Sequence, residues 1–196
     1  MLMAPSPDRR SGFVLVLTVV LSLALFFSWG NTAYIHLKAH VAQYLIERAW
    51  EQGNVSKPWP WADTWPVARL RIRSQDIFVL NGADGSALAF GAGLMSGTYV
   101  PGTGGTALIG GHRDTHFGVL RTLNEADRYL VQTRDGRWLT YEIESIEVVD
   151  IRKTPARKIS DRIDEVILVT CYPFDAVLPG GPLRYVVRAQ RVDTGA

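Results

Sequence analysis

Hydrophobic positions fall into three successive patterns along the chain. From Ser11 through Leu37 no Asp, Glu, Lys or Arg occurs, and Phe13–Phe27 is almost continuously apolar. A helix over residues 12–30 would rise about 28 Å, close to one hydrocarbon thickness. Thr18 and Ser22 can return their hydroxyl bonds to the helix backbone, and Trp29 sits where an interfacial aromatic belongs. From Asn31 to Gln52 the spacing shifts towards 3.6, through Ile35, Ala39, Ala42, Ile46 and Ala49, with Gly53-Asn54 as a stop. This predicts a juxtamembrane helix with one apolar side. Residues 56–66 (SKPWPWADTWP) carry three prolines and three tryptophans, so they form a stiff arm whose indoles need a surface to cover.

After Pro66 the apolar runs become short and β-branched, separated by Gly, Pro or Asn-Gly. Strands are predicted at 67–72, 77–80, 87–90, 107–109, 129–133, 138–150, 166–170 and 185–192, with helix confined to short pieces such as 118–123. Asn81-Gly82, Asp84-Gly85 and Asp135-Gly136 are turn dipeptides between them. So many short strands suggest a closed barrel or a sandwich. The domain plan is therefore an N-terminus and membrane anchor over 1–30, a helix and Pro/Trp-rich linker over 31–66, and one β-domain over 67–196.

Charge narrows the function. Among 196 residues, 21 Lys+Arg against 19 Asp+Glu give a net charge of +2, too little for a nucleic-acid binder. Arg9 and Arg10 precede the apolar span and nothing basic follows until Lys38. This favours a cytoplasmic N-terminus and a β-domain outside the cytoplasm, and the length of the apolar run favours an uncleaved anchor. A cleaved signal peptide is the competing reading, and leaves the domain on the same side.

Three stretches can carry chemistry. Gly102-Thr-Gly-Gly-Thr-Ala107 matches a dinucleotide-binding glycine pattern, but Pro101 precedes it and a β-like run follows, so it is discarded. His112 and His116 lie four apart between glycines, with no Glu between them and only Cys171 as a thiol. That donor set disfavours zinc. Cys171 ends the apolar run Val166–Thr170 and is followed by Tyr172-Pro173. A lone cysteine is commonly a buried small hydrophobe, yet an idle thiol in an oxidising compartment is a liability. A strand end can aim it into a barrel mouth as a nucleophile. It then needs a base, for which His is the usual choice, and a donor for the developing oxyanion. Arg184 opens the next β-run after Gly180-Gly181 and is a candidate cation.

Gly111-His-Arg-Asp-Thr115, Thr170-Cys171 and Arg184, in this order behind an N-terminal anchor, resemble a sortase. Residues 112–117 with 170–174 look most like the sortases of Gram-negative bacteria. The resemblance implies an all-β, eight-stranded barrel with short helices and a cysteine transpeptidase without cofactor or metal. Its substrate would be a secreted protein with a C-terminal sorting signal similar to Leu-Pro-x-Thr-Gly, and its acceptor an amine on the cell envelope. By this analogy Cys171 is the nucleophile, His112 the acid/base and Arg184 the substrate and oxyanion ligand. Thr170 and Asp114 are candidate substrate-binding or orienting residues, and His116 is a structural one. Arg188 shares a strand face with Arg184 and rivals it. No acidic cluster resembles a calcium site. The connection 150–162 would border the substrate groove. A thiol hydrolase using the same Cys and His, or a non-catalytic anchored β-domain that binds a partner, are the alternatives.

Overall fold

The computed structural model describes residues 9–53, 55–155, 158–178 and 180–192. It divides into two compact units between Val41 and Ala42. Helix α1 runs over Arg9–Glu51, one helix where the sequence pattern suggested two. Within the first unit, Gly12–Trp29 has a mean hydropathy of 2.4 and none of it is buried. It is long and apolar enough to cross a membrane.

The second unit contains the last turns of α1 and all the strands: β1 (Pro66–Ile72), β2 (Gln75–Asn81), β3 (Ala92–Leu94), β4 (Thr106–Gly110), β5 (Arg128–Gln132), β6 (Trp138–Asp150), β7 (Glu165–Cys171) and β8 (Leu183–Val192). They close into a barrel in the order β1-β2-β3-β4-β7-β8-β6-β5. This is the eight-stranded barrel expected from the resemblance, and closure leaves no free sheet edge. Alternating residues fill the interior. Leu70, Ile72, Val79, Ile109, Val131, Tyr141, Leu168 and Val187 belong to one buried cluster. Tyr129 and Tyr141 stack within it at 6.0 Å.

The expected strand at 87–90 is a short helix, α2 (Gly85–Leu88), and the third strand follows it at β3. The reason is local. Asp84 acts as a helix N-cap, its carboxylate accepting from the Ala87 amide (3.0 Å) and the Ser86 hydroxyl (2.8 Å). These contacts hold its carboxyl pKa below the ordinary value. Asn81-Gly82 and Asp84-Gly85 therefore open a crossover rather than a hairpin, and β2 and β3 run parallel. Asp135-Gly136 does sit in the β5–β6 hairpin, with Gly136 at a φ of 87°.

Within this second unit, the end of α1 is seated on the barrel. Ile46 is fully buried with Phe78, Leu80 and Ala87, and Trp50 and Trp59 pack on that cluster. Trp59 meets Phe90 edge-on at 5.0 Å, while Trp61 of the same arm is exposed. Arg134 donates to the carbonyls of Ala49 (3.1 Å) and Trp50 (3.4 Å) and lies over the Trp50 ring. It satisfies carbonyls that a helix end leaves without intrahelical donors. We predict that Ile46→Ala lowers unfolding stability by about 2–5 kcal/mol, measured by urea denaturation followed by tryptophan fluorescence. A change below about 0.5 kcal/mol would mean that the helix end is not part of the core.

Candidate active site

The site begins with a parallel strand pair. β4 and β7 run side by side with Leu108 opposite Ile167 and Gly110 opposite Val169. Beyond Gly110 the chain leaves the sheet, but the alignment is held for one more residue. The Gly111 amide donates to the Val169 carbonyl (3.1 Å), and the Thr170 hydroxyl donates to the Gly111 carbonyl (2.7 Å). Extending the same register sets His112 level with Cys171. On the other flank, Cys171 pairs directly with Arg184 of the antiparallel β8. His112, Cys171 and Arg184 thus fall in one row across three neighbouring chain segments. Cys171 is a free thiol of intermediate burial, His112 is exposed and Arg184 is half-buried.

Strand parity decides which way each residue faces. Val166 and Leu168 belong to the interior cluster and Thr170 is buried with them. Ile167, Val169 and Cys171 take the other face. So do Arg184, Val186 and Arg188 of β8, and these three with Ile167 and Val169 floor a cavity of about 470 Å³, beside which Cys171 stands through its pairing with Arg184. Met95, Leu108, Ile151 and Ile159 complete its mainly apolar walls. The thiol therefore stands at the end of a groove on the outer wall rather than in the barrel mouth expected from its strand-end position. The interior at that end is already filled, by Thr170 and by the Tyr172–Phe174–Tyr185 aromatic cluster. The groove was not visible in sequence. Its trace is the unbroken apolar run 166–169, which signals a strand covered on both faces.

The loop after β4 is shaped by packing. A Cβ at Gly111 would lie 2.7 Å from the Phe117 ring, so the glycine is what lets that buried aromatic close under the loop. The Phe117 amide donates to the His112 carbonyl (3.0 Å). Arg113 reaches across to the β7–β8 connection and donates to the carbonyls of Ala176 (2.6 Å) and Leu178 (3.3 Å). It ties the segment that carries His112 to the segment that follows Cys171, a role missed in the sequence reading. Asp114 is exposed and makes no hydrogen bond or ion pair among the described residues, so it meets neither Arg113 nor an imidazole. His116 is half-buried beside Thr115. Burial, and then its electrostatic interaction with His112, lowers its pKa from the ordinary value.

Arg184 turns one guanidinium nitrogen, Nη1, onto the carbonyls of Gly181 (2.6 Å) and Leu183 (2.9 Å). Nε and Nη2 have no hydrogen-bond partner among the described residues, so they can donate to an incoming oxygen. Among the described residues no three His, Cys, Asp or Glu converge as metal ligands. The arrangement offers a thiol, an imidazole and a cation in line at the end of an apolar groove.

The family model for the sortase domain matches residues 70–192, more than half of the chain. Sortase D of Bacillus subtilis (strain 168) is 33% identical over 114 residues, covering 58% of this chain and 57% of that protein. Among solved structures, sortase A from Corynebacterium diphtheriae shares 30% identity with a TM-score of 0.59, over 69% of this chain and 64% of that one. Sortase C-1 from Actinomyces oris shares 30% with a TM-score of 0.57, over 65% of this chain and 74% of that one. The chain belongs to the sortase family. It spans less than two thirds of the length of the Bacillus and Corynebacterium relatives.

Thr170→Val keeps the side-chain shape but leaves the Gly111 carbonyl without its donor. The expected result is a loss of about 1–3 kcal/mol of stability and faster amide hydrogen exchange over residues 111–116, with Thr170→Ser restoring both. Unchanged exchange in the valine variant would remove Thr170 as the clamp of this loop.

Proposed function

We propose that the chain is a membrane-anchored cysteine transpeptidase. On this reading it cleaves a C-terminal Leu-Pro-x-Thr-Gly-like signal of a secreted protein after the threonine and passes that protein to an amine acceptor on the cell envelope. The observation that carries this is the pairing of Cys171 with Arg184 beside an apolar groove, with the β4–β7 register and the Gly111 bonds bringing the His112 loop next to them. The Cys171 thiolate attacks the threonine carbonyl and a carbon–sulfur bond forms. The free nitrogens of Arg184 donate to the oxyanion as it develops, where a preorganised cation is worth most. The carbon–nitrogen bond then breaks and His112 gives its proton to the departing amine. The incoming amine attacks the thioester, loses its proton to His112 and releases the Cys171 sulfur.

Gly12–Trp29 supports anchoring in the bilayer by its length and hydropathy, and Arg9 and Arg10 support a cytoplasmic N-terminus. Attachment outside the cytoplasmic membrane brings the groove to secreted substrates and envelope amines. The motifs at 112–117 and 170–174 support the Gram-negative subclass.

The test incubates the chain with Leu-Pro-x-Thr-Gly peptides and triglycine and follows products by mass spectrometry. A peptide–triglycine product is expected, with a thioester-linked intermediate on Cys171 that Cys171→Ala cannot form. His112→Ala is expected to lower kcat/KM by about 10²–10⁴-fold, and Arg184→Ala by about 10²–10³-fold. Arg184→Lys should recover only part, because an ammonium cannot hold Gly181 and Leu183 and also reach the oxyanion as a planar fork does. Hydrolysis with no amine product at any triglycine concentration would make the chain a thiol peptidase instead. A Cys171 inert to iodoacetamide and to every peptide would favour a non-catalytic partner-binding domain.

A further inference from the structure

The chemistry above occupies Arg184 and leaves the second arginine of the groove, Arg188, without a task. The two share the outer face of β8 with Val186 between them. At about 3.3 Å per residue, Arg188 stands roughly 13 Å from the Cys171 row. Its register partner is Ile167, a residue only 4% exposed. An apolar wall is a costly setting for a guanidinium whose donors lack acceptors. Arg188 Nε is closed off from solvent with no hydrogen-bond partner among the described residues.

Glu147 on β6 is the nearby carboxylate, but its Oε1 lies 3.7 Å from Arg188 Nη1, beyond hydrogen-bonding reach. That same oxygen is 3.3 Å from the Ser145 hydroxyl, and Glu147 is exposed, so it holds Arg188 loosely from the rim. Asp150, further along β6, is engaged by Arg152 at 2.8 Å. Arg152 and Lys153 follow closely on Asp150, which pairs with Leu183, so they stand at the Cys171 end and not beside Arg188. The far end of the groove is thus apolar in its walls, with a guanidinium short of an acceptor.

We propose that Arg188 reads a carboxylate side chain, Asp or Glu, on the substrate peptide four residues before the threonine whose carbonyl is attacked, the residue that precedes the leucine of the signal. This rests on the transpeptidase reading and narrows its substrate class. An extended peptide has the same rise per residue as β8. One with its scissile carbonyl at Cys171 therefore brings that position beside Arg188. A carboxylate matches the guanidinium fork, and the low-dielectric walls strengthen the pair.

The experiment uses the full chain in detergent micelles with triglycine and three peptides that differ only in having Glu, Gln or Lys at the fourth residue before the attacked threonine. The expected result is a kcat/KM for Glu about tenfold above Gln, shrinking as salt rises. Arg188→Met brings that ratio to about one, Arg188→Lys leaves an intermediate ratio, and Arg188→Glu turns the preference to Lys. Equal kcat/KM for Glu and Gln, or a preference that survives Arg188→Met, would overturn the proposal. Fluorescence-anisotropy binding to the Cys171→Ala chain separates this from the chemistry. If no peptide is turned over yet the Glu peptide binds about tenfold more tightly than Gln, and Arg188→Met in that background abolishes the difference, the transpeptidase reading fails and the carboxylate site stands. Equal affinities for all peptides, or no binding of any, remove the site.

Discussion

The parallel pairing of β4 with β7 is the constraint on which the rest of the site depends. Parallel neighbours cannot be joined by a tight turn, so the residues between Gly110 and Glu165 must travel around the barrel and return. That journey builds β5, β6 and the covering connection, and it brings two distant segments together at their C-terminal ends. The pairing ends at Gly110 opposite Val169, and both chains leave the sheet from there. One more residue of alignment is enforced by a side chain, the Thr170 hydroxyl on the Gly111 carbonyl. Beside it, the Gly111 amide on the Val169 carbonyl, the packing of Phe117 and the Arg113 tether set the height of the imidazole-bearing loop.

Antiparallel pairing supplies the other flank. Because β8 is bonded to both β7 and β6, Arg184 is fixed between Cys171 on one side and Val149 on the other. Its guanidinium is then steadied by carbonyls of its own approach loop, Gly181 and Leu183. The cation thus comes held by backbone carbonyls, with no carboxylate partner among the described residues. An Asp in place of those carbonyls would compete for the same charge.

Much of the barrel was legible because its strands are local patterns. The 13-residue β6 (Trp138–Asp150) has the bounds expected from its apolar periodicity, and β7 and β8 extend their expected ranges by one or two residues. The failure at 87–90 is also local. An Asp-Gly pair can open a hairpin or cap a helix, and the choice fell to Ser86 and Ala87, whose hydroxyl and amide bind the Asp84 carboxylate. The order His112, Cys171, Arg184 was legible through the family resemblance alone. Their alignment in a row was not, because register between β4 and β7 joins residues some sixty apart and no short-range pattern encodes it. Arg113 escaped notice for the same reason, since its acceptors at Ala176 and Leu178 are brought near only by the closed fold.

The placement of the thiol on the outer wall has a consequence for how this protein can change. Along β7 the even-numbered residues Val166, Leu168 and Thr170 hold the dry interior, while the odd-numbered Ile167 and Val169 line the groove and Cys171 follows them on the same face. Stability and chemistry are thereby assigned to alternate letters of a single seven-residue word. Substitutions at Val169 can retune what the groove accepts without opening a void in the interior cluster, and Val166 and Leu168 can be repacked without altering the groove, while Thr170 serves both sides through its bond to the Gly111 carbonyl. A thiol inside the barrel would have forced both demands onto the same positions.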